Sequence, residues 1–300
     1  GEYNCEVVRA RARGIPVYER AEYLGTVSRE YKKVIAVAGT HGKTTATGFC
    51  EQIFLPKDPT VHIGGTVLGE AGRVGGSEYF ICEACEYKRS FLHLKPSVAV
   101  ILNAELDHTD YYKDTADYLS AFQSFANNSD IVVINGDDEN CSRLRLKNRV
   151  TFGLGKNNYL RAENVEKTAR GHAFTLVAGG RKIGRVELGV KGEHNVYNAL
   201  AAAAVAGVCG LSFEETKSGL ENFGGAKRRF EHIGNFGGCN VYSDYAHHPS
   251  EIKTTVASAR DAGNGKVTLV FEPHTYTRLK SLLGGFVESL SGADRIIVAP

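Results

Sequence analysis

The chain has 300 residues, of which 42% are hydrophobic and 23% charged, and its formal net charge is +2. This composition is typical of a globular protein with one large domain or two ordinary ones. The small net charge argues against nucleic acid or a membrane surface as a partner. No apolar run approaches the length of a membrane-spanning helix.

The first half of the chain predicts strands that alternate with helices. Residues 33–38 form an apolar run of the kind found in buried parallel strands, and residues 44–54 predict a helix. Three more core strands are expected at 79–82, 97–102 and 131–134, and one more helix is expected at 114–126. This alternation favours an α/β fold with helices on both faces of a parallel sheet.

The pattern changes twice in the second half. Residues 158–190 predict an antiparallel hairpin around Gly179-Gly180, and the Ala-rich stretch 195–208 predicts a helix. After Gly224-Gly225 a second α/β unit is expected, with strands at 240–243, 267–271 and 295–298 and helices at 249–260 and 279–290.

Targeting signals and cysteine spacing point to the cytoplasm. No basic segment followed by an apolar one opens the chain, so we expect no secretory signal. The seven cysteines include one Cys-x-x-Cys pair, Cys82 and Cys85, but no second pair. Buried thiols in a reducing compartment are therefore expected rather than a zinc or disulfide site.

A glycine-rich loop, Gly39-Thr40-His41-Gly42-Lys43-Thr44-Thr45, follows the first core strand and precedes a helix. Such loops line an anion site with backbone N–H groups, and the helix points its positive end at the phosphate. Lys43 would reach the β- and γ-phosphates, and the Thr44 hydroxyl would hold Mg²⁺. Val37 stands where the usual phosphate loop has its first glycine. The alternative, a chance Gly-Lys-Thr in a turn, is disfavoured by the strand and helix on either side.

Six segments, in order along the chain, resemble the motifs of the Mur ligases, a family of ATP-dependent amide ligases. They are the loop just described, Glu83-Ala84-Cys85-Glu86-Tyr87 with Ser90-Phe91-Leu92, Asn103-Ala104-Glu105-Leu106-Asp107-His108-Thr109-Asp110, Gly192-Glu193-His194-Asn195-Val196-Tyr197-Asn198, Asp244-Tyr245-Ala246-His247-His248-Pro249, and Pro273-His274-Thr275-Tyr276-Thr277-Arg278. Six ordered motifs that cover nearly the whole chain are far more specific than any single one.

The resemblance implies a fold with a central P-loop-type parallel-sheet ATPase domain over 33–225, which includes the hairpin region. A Rossmann-like α/β C-terminal domain over 226–300 would follow and bind the amino acid. Residues 1–32 resemble the tail of the family's N-terminal UDP-binding domain. We therefore expect most of that domain, and the last part of the C-terminal one, to lie outside the chain.

The resemblance also implies the reaction. The alanine-adding member joins L-alanine to the lactyl carboxylate of UDP-N-acetylmuramate in peptidoglycan precursor synthesis. ATP is converted to ADP and phosphate through an acyl phosphate, and Mg²⁺ (or Mn²⁺) is the metal. The implied partners are these small molecules, and the sequence leaves a monomer or a dimer open.

The resemblance assigns roles to individual residues. Catalysis is assigned to Lys43, Glu83 and His108, and metal binding to Thr44, Glu83 and His108. ATP binding is assigned to Gly39, Thr40, His41, Gly42, Lys43, Thr44, Thr45, His194, Asn195, Asn198, Arg229 and Asp244. Binding of L-alanine is assigned to Tyr245, His247, His274 and Arg278. Without the motifs, a lone His beside an Asp, an Asn at a helix start or an Arg pair would each be read as structural. The sequence departs from the family at Thr275, where some relatives carry a second Arg, and at Ala104, where Ile is usual.

Two alternatives remain open. A recycling ligase, which adds a whole tripeptide to the same sugar nucleotide, shares the central motifs, although the Pro273–Arg278 motif favours the alanine-adding member. A non-catalytic nucleotide-binding relative would keep the phosphate loop but usually loses acceptor-side residues, which are present here.

Overall fold

The computed structural model describes residues 3–67, 70–263 and 265–299. The strands of the first unit, β1 to β10, are Lys33–Ala38, Thr60–Val67, Glu70–Arg73, Tyr79–Glu83, Val98–Ile101, Ile131–Asn135, Arg149–Gly153, Leu160–Lys167, His172–Ala178 and Arg181–Glu187. Its helices, α1 to α7, are Cys5–Ala12, Arg20–Ser28, Lys43–Phe54, Thr115–Asn127, Glu139–Ser142, His194–Val208 and Phe213–Asn222.

These ten strands form one sheet in the order β10-β9-β8-β7-β6-β5-β1-β4-β2-β3. The strands from β8 to β2 pair in parallel. Antiparallel pairing is found at the two edges, between β2 and β3 at one and between β8, β9 and β10 at the other. The predicted parallel sheet is confirmed. The predicted hairpin is formed by β9 and β10, and β9 also pairs with β8, so the hairpin extends the main sheet.

Both faces of the sheet are covered because its central strand is apolar on both sides. In β1, Ile35 and Val37 face the cluster that contains α3 and α6, whereas Val34 and Ala36 face the cluster that contains α4. The Ala-rich α6 packs closely against the sheet and α3, since its side chains are short. This packing fixes the carboxyl end of β1, where the phosphate loop begins.

The second unit contains β11 to β14, Glu231–Phe236, Cys239–Ser243, Thr268–Phe271 and Arg295–Val298, and α8 to α10, Pro249–Ala262, Tyr276–Ser281 and Leu283–Leu290. β13 and β14 pair in parallel, as expected. β12 instead pairs antiparallel with β11. Gly237 and Gly238, both with positive φ, form the tight turn that makes this hairpin possible.

One predicted helix, over 279–290, is two. The break lies at Leu282, whose φ and ψ of −114° and 21° are not helical. Gly284 and Gly285 follow at once and weaken helix formation there. A Cβ at Gly285 would lie 3.2 Å from the ring of Pro249, so glycine lets this turn approach α8. Within the described residues, no helix combines the length and apolar character needed to cross a membrane.

Candidate active site

The phosphate loop turns sharply into α3 at Gly42, which adopts a φ of +83°. A Cβ at this position would lie 2.5 Å from Oδ1 of Asn198 on α6, so both the backbone angle and the space require glycine. Asn103 fixes the loop from the neighbouring strand end. Its Oδ1 accepts from the N–H of His41 at 2.8 Å, and its Nδ2 donates to the carbonyl of His41 at 3.1 Å.

Lys43 is held at the start of α3 by a buried carboxylate. Its Nζ donates to both oxygens of Glu86, at 3.1 and 3.0 Å, and to the carbonyl of Gly39 at 2.5 Å. Burial opposes the charge on Lys43, but Glu86 outweighs it and raises the pKa of the ammonium group. Burial alone would raise the pKa of Glu86, yet Lys43 and then His108 hold it below its usual range. Both groups are therefore charged at neutral pH.

Glu86 is also the partner of His108. Nε2 of His108 lies 3.5 Å from Oε1 of Glu86, and the imidazole packs on the ring of Tyr87 with centroids 4.6 Å apart. His108 has a φ of +52°, and its N–H donates to Oδ1 of Asp107 at 2.7 Å. The sequence interpretation gave Glu86 no role. The available signal was a second acidic residue, three positions after Glu83, in a motif that follows a strand.

The other predicted metal ligands, Thr44 and Glu83, lie next to β2. Glu83 ends β4, and its Oε1 accepts from the N–H of Gly64 on β2 at 2.9 Å. A Cβ on the next residue, Gly65, would lie 2.7 Å from Cγ2 of Thr44. Thr44 and Glu83 thus both lie beside the pair Gly64 and Gly65, whereas His108 lies beside Glu86. The predicted ligands therefore divide into two places.

A cleft of about 1090 Å³ lies between the carboxyl edge of the sheet and the second unit. Its lining includes eight of the residues predicted to bind ATP: His41, Gly42, Thr45, His194, Asn195, Asn198, Arg229 and Asp244. Gly39, Thr40, Lys43 and Thr44 are not in the lining. The structure thus brings together the phosphate loop, the start of α6 and the first residues of the second unit around one cavity.

The polar groups at the α6 end of this cleft are already oriented by neighbours. Nδ2 of Asn195 donates to the carbonyl of Lys191 at 2.7 Å, and its Oδ1 accepts from Asn198 at 3.0 Å. Asp244 accepts from the N–H groups of Phe230 and Ala246 at 2.8 and 2.7 Å. Burial lowers the pKa of His194 to about 4, so this imidazole is neutral at pH 7.

The predicted acceptor residues cluster beside His108. The rings of Tyr245, His247 and His274 have centroids 5.1 to 6.1 Å apart. His274 and Arg278 line a second cavity, of about 250 Å³, together with His108 and Asp107. Two predicted acceptor residues therefore share a cavity with a predicted catalytic one.

Arg278 makes a contact that the sequence did not predict. Its Nε and one terminal nitrogen donate to the two oxygens of Asp107, at 2.9 and 3.2 Å, and both side chains are buried. Burial alone would raise the pKa of Asp107, but Arg278 keeps it below its usual range. This paired, two-point contact joins the second unit to the first.

Family models and known proteins match this chain over almost its whole length. Residues 37–206 match the Mur ligase middle domain, and residues 228–300 match the Mur ligase, glutamate ligase domain. The UDP-N-acetylmuramate--L-alanine ligase of Agathobacter rectalis is 41% identical over 99% of this chain and 67% of its own length. The enzyme of the same name from Acetivibrio thermocellus is 42% identical, over 98% of this chain and 66% of its own.

Solved structures match as well. The UDP-N-acetylmuramate-alanine ligase MurC from Thermotoga maritima has a TM-score of 0.85 and 31% identity, with 99% of this chain and 69% of that one covered. A murein peptide ligase from Psychrobacter arcticus has a TM-score of 0.75 and 25% identity, with 99% and 70% covered. The chain thus spans about two thirds of the length of these relatives.

Proposed function

The chain belongs to the Mur ligase family, and we propose that it carries the ATP and amino-acid sites of an enzyme that joins L-alanine to UDP-N-acetylmuramate. A lactyl carboxylate oxygen attacks the γ-phosphorus of ATP, and ADP leaves. The amine of L-alanine then attacks the acyl carbon, phosphate leaves, and the amide forms. The main support is the meeting of Lys43, at the phosphate loop, and His108, at the acceptor cavity, on the single carboxylate of Glu86.

On the ATP side, Lys43 and the loop N–H groups would hold the phosphates, and Lys43 would exchange Glu86 for them. Arg229 would add a second cation from across the cleft. Asn195, Asn198 and Asp244 line the same cleft. Asn195 and Asn198 would contact the adenine, and Asp244 would accept from ribose hydroxyls.

The donor set around Lys43 fits divalent ions. Thr44 and Glu83 offer the hard oxygen atoms that Mg²⁺ prefers, and His108 lies beside the carboxylate of Glu86. Bound there, Mg²⁺ or Mn²⁺ would neutralise negative charge on the transferred phosphoryl group. We therefore assign Thr44, Glu83 and His108 as ligands and add Glu86 as a candidate.

On the acceptor side, the second unit can hold L-alanine and take up a proton. Nδ1 of His247 donates to the carbonyl of Tyr245 at 2.9 Å, which leaves Nε2 as the free acceptor. Burial lowers the pKa of His247, so the ring is neutral at pH 7 and can accept the ammonium proton. The rings of Tyr245 and His274 lie beside that of His247. Arg278 would donate to the carboxylate of L-alanine from the terminal nitrogen that does not contact Asp107.

The domain arrangement is part of the proposal. Residues 33–225 would form the ATP-binding domain and residues 226–300 the amino-acid-binding one, with residues 1–32 as the tail of a UDP-binding domain. The cytoplasm would supply all three substrates. The recycling ligase stays as a second candidate, because murein peptide ligases are among the structural matches.

Phosphate release by the intact protein tests the proposal. With ATP and UDP-N-acetylmuramate present, L-alanine should start phosphate release, and the tripeptide L-alanyl-γ-D-glutamyl-meso-diaminopimelate should not. Turnover with the tripeptide but not with L-alanine would replace the proposal with the recycling reaction. ATP binding without release in either case would favour the non-catalytic relative.

A further inference from the structure

A single carboxylate of the second unit, Glu251, contacts both sides of the cleft. In the first turn of α8 its Oε2 accepts from the N–H groups of His247 and His248, at 3.0 and 3.3 Å. Its Oε1 lies 3.2 Å from Nδ1 of His41 in the phosphate loop and 3.7 Å from a terminal nitrogen of Arg229. Only 12% of the side chain is exposed. Glu251 therefore connects the phosphate loop with the backbone of the acceptor residue His247.

His41 is bound on its other side by the first unit. Its Nε2 lies 3.0 Å from Oε2 of Glu105, and the Glu105 carboxylate accepts from the hydroxyl of Ser250 on α8 at 2.6 and 2.7 Å. Burial opposes the charge on His41, but pairing with Glu105 and Glu251 outweighs it and raises the pKa to about 9. The imidazole is thus a cation at neutral pH, and it bridges two carboxylates from different units.

The same geometry has an alternative reading as a metal site, because His41, Glu105 and His248 bring ligand atoms within 4.8 Å of one another. Both ring nitrogens of His41 already face carboxylate oxygens, of Glu105 at 3.0 Å and of Glu251 at 3.2 Å. Nδ1 of His248 accepts, at 3.4 Å, from the N–H of Ser250. The contacts therefore favour a charged bridge over a bound ion.

We propose that Glu251 is a positioning residue that couples the phosphate loop to the acceptor side through His41. The inference rests on the proposed function, since it assumes that His247 faces L-alanine. When the loop is ordered by ATP, His41 presents its charge to Glu251, and the first turn of α8 is held with His247 in place. L-Alanine then binds to a second unit that is already docked on the first. Its apparent affinity is therefore not reduced by a fraction of molecules in which the second unit is undocked.

Glu251→Gln separates this role from simple helix capping. The amide oxygen of Gln can still accept from the N–H groups of His247 and His248, so α8 keeps its cap while the charge is lost. Glu215→Gln is the matched control, because Glu215 caps α7 in the same way with Ser212 but lies away from the cleft. In the intact protein, Glu251→Gln should raise the KM for L-alanine about tenfold. Because a coupling free energy is reciprocal, Glu251→Gln should also weaken binding of a non-hydrolysable ATP analogue, by up to about tenfold. Glu215→Gln should change neither constant.

A double variant checks the pairing. His41→Asn keeps the backbone contacts to Asn103 but removes the cation. If the two side chains act together, His41→Asn with Glu251→Gln should be no worse than the more severe single variant. If the increase in the KM for L-alanine in the double variant equals the product of the increases in the two single variants, the coupling is contradicted. An unchanged KM for L-alanine in Glu251→Gln would also overturn the proposal. So would a rise in this KM that is fully accounted for by unfolding of the variant, seen as a lower melting temperature.

Hydrogen exchange tests the coupling without turnover. The ATP analogue should protect the amides of α8 in the wild type, and Glu251→Gln should lose most of that protection. Equal protection in both proteins would overturn the inference. If the wild type shows the protection but no L-alanine-dependent phosphate release, the proposed function fails while the coupling stands.

Discussion

Glu86 illustrates how one residue can serve two sites. It is almost fully buried and neutralises Lys43, and it lies within reach of His108. A buried charge pair contributes little net stability compared with an apolar pair, but removal of one partner leaves a costly unpaired charge. Under the proposed function the pair would separate on ATP binding: the phosphates would take Lys43, and Glu86 would then be free for His108.

Removal of the charge on Glu86 should therefore be felt most in the ligand-free protein. Glu86→Gln should lower the free energy of unfolding by about 3 kcal/mol, because Lys43 remains buried without an anionic partner. An ATP analogue should restore part of this loss, since its phosphates replace the missing charge. Thermal unfolding should show a larger ligand-induced increase in melting temperature for the variant than for the wild type. An equal or smaller increase would argue against the exchange.

Among the elements, the strand–loop–helix unit of β1 and α3 carries the most constraint. The loop depends on Gly42 for its backbone angle and for clearance from Asn198 on α6. α6 in turn is placed by its alanine packing against the sheet. The phosphate-loop end of the cleft thus depends on two helices and one strand packed together, and not on the loop alone.

Gly42→Ala and Gly180→Ala distinguish the cost of a positive backbone φ from the cost of a steric clash between a new Cβ and its neighbours. Both glycines have nearly the same positive φ, +83° and +82°, but nothing lies within 4 Å of a Cβ at Gly180. Gly180→Ala should lower the free energy of unfolding by about 1 kcal/mol, the cost of the left-handed angle. Gly42→Ala should cost more, because Asn198 must move, and it should weaken ATP binding by at least about tenfold. Equal stability losses with unchanged ATP binding would show that the clearance is unimportant.

At the scale of the whole molecule, elements with a clear local pattern were predictable in both units, whereas β2, β3 and β7 of the first unit were not predicted. The apolar runs, the glycine-rich loop and the alanine-rich helix each follow a local pattern, so the parallel sheet and most strand positions could be predicted. The antiparallel pairing of β12 with β11 and the break at Leu282 were not predicted, although Gly237-Gly238 and Gly284-Gly285 are local signals for them.

The candidate site divides in the same way. Motif residues such as Lys43, Asn198 and Asp244 could be named because each belongs to a recognisable segment. Asp107, Glu86 and Glu251 acquire their importance from partners far away in sequence, namely Arg278, Lys43 and His41. The contact of Glu86 with Lys43 exists only after the first unit has folded, and the other two exist only after both units have docked. The sequence pattern could therefore not specify them. The site roles themselves stay predictions until they are tested.

The central claim is that both units act on the lactyl carboxylate of UDP-N-acetylmuramate. This carboxylate is first phosphorylated, and the acyl group is then transferred to the amine of L-alanine. Isotopic labelling of that carboxylate tests it most directly. UDP-N-acetylmuramate with ¹⁸O in its lactyl carboxylate is incubated with ATP, L-alanine and the intact protein, and the released phosphate is analysed by mass spectrometry. An acyl phosphate requires that each released phosphate carry one ¹⁸O atom from the carboxylate. Amide formation with unlabelled phosphate, or phosphate release that does not depend on L-alanine, would contradict the account.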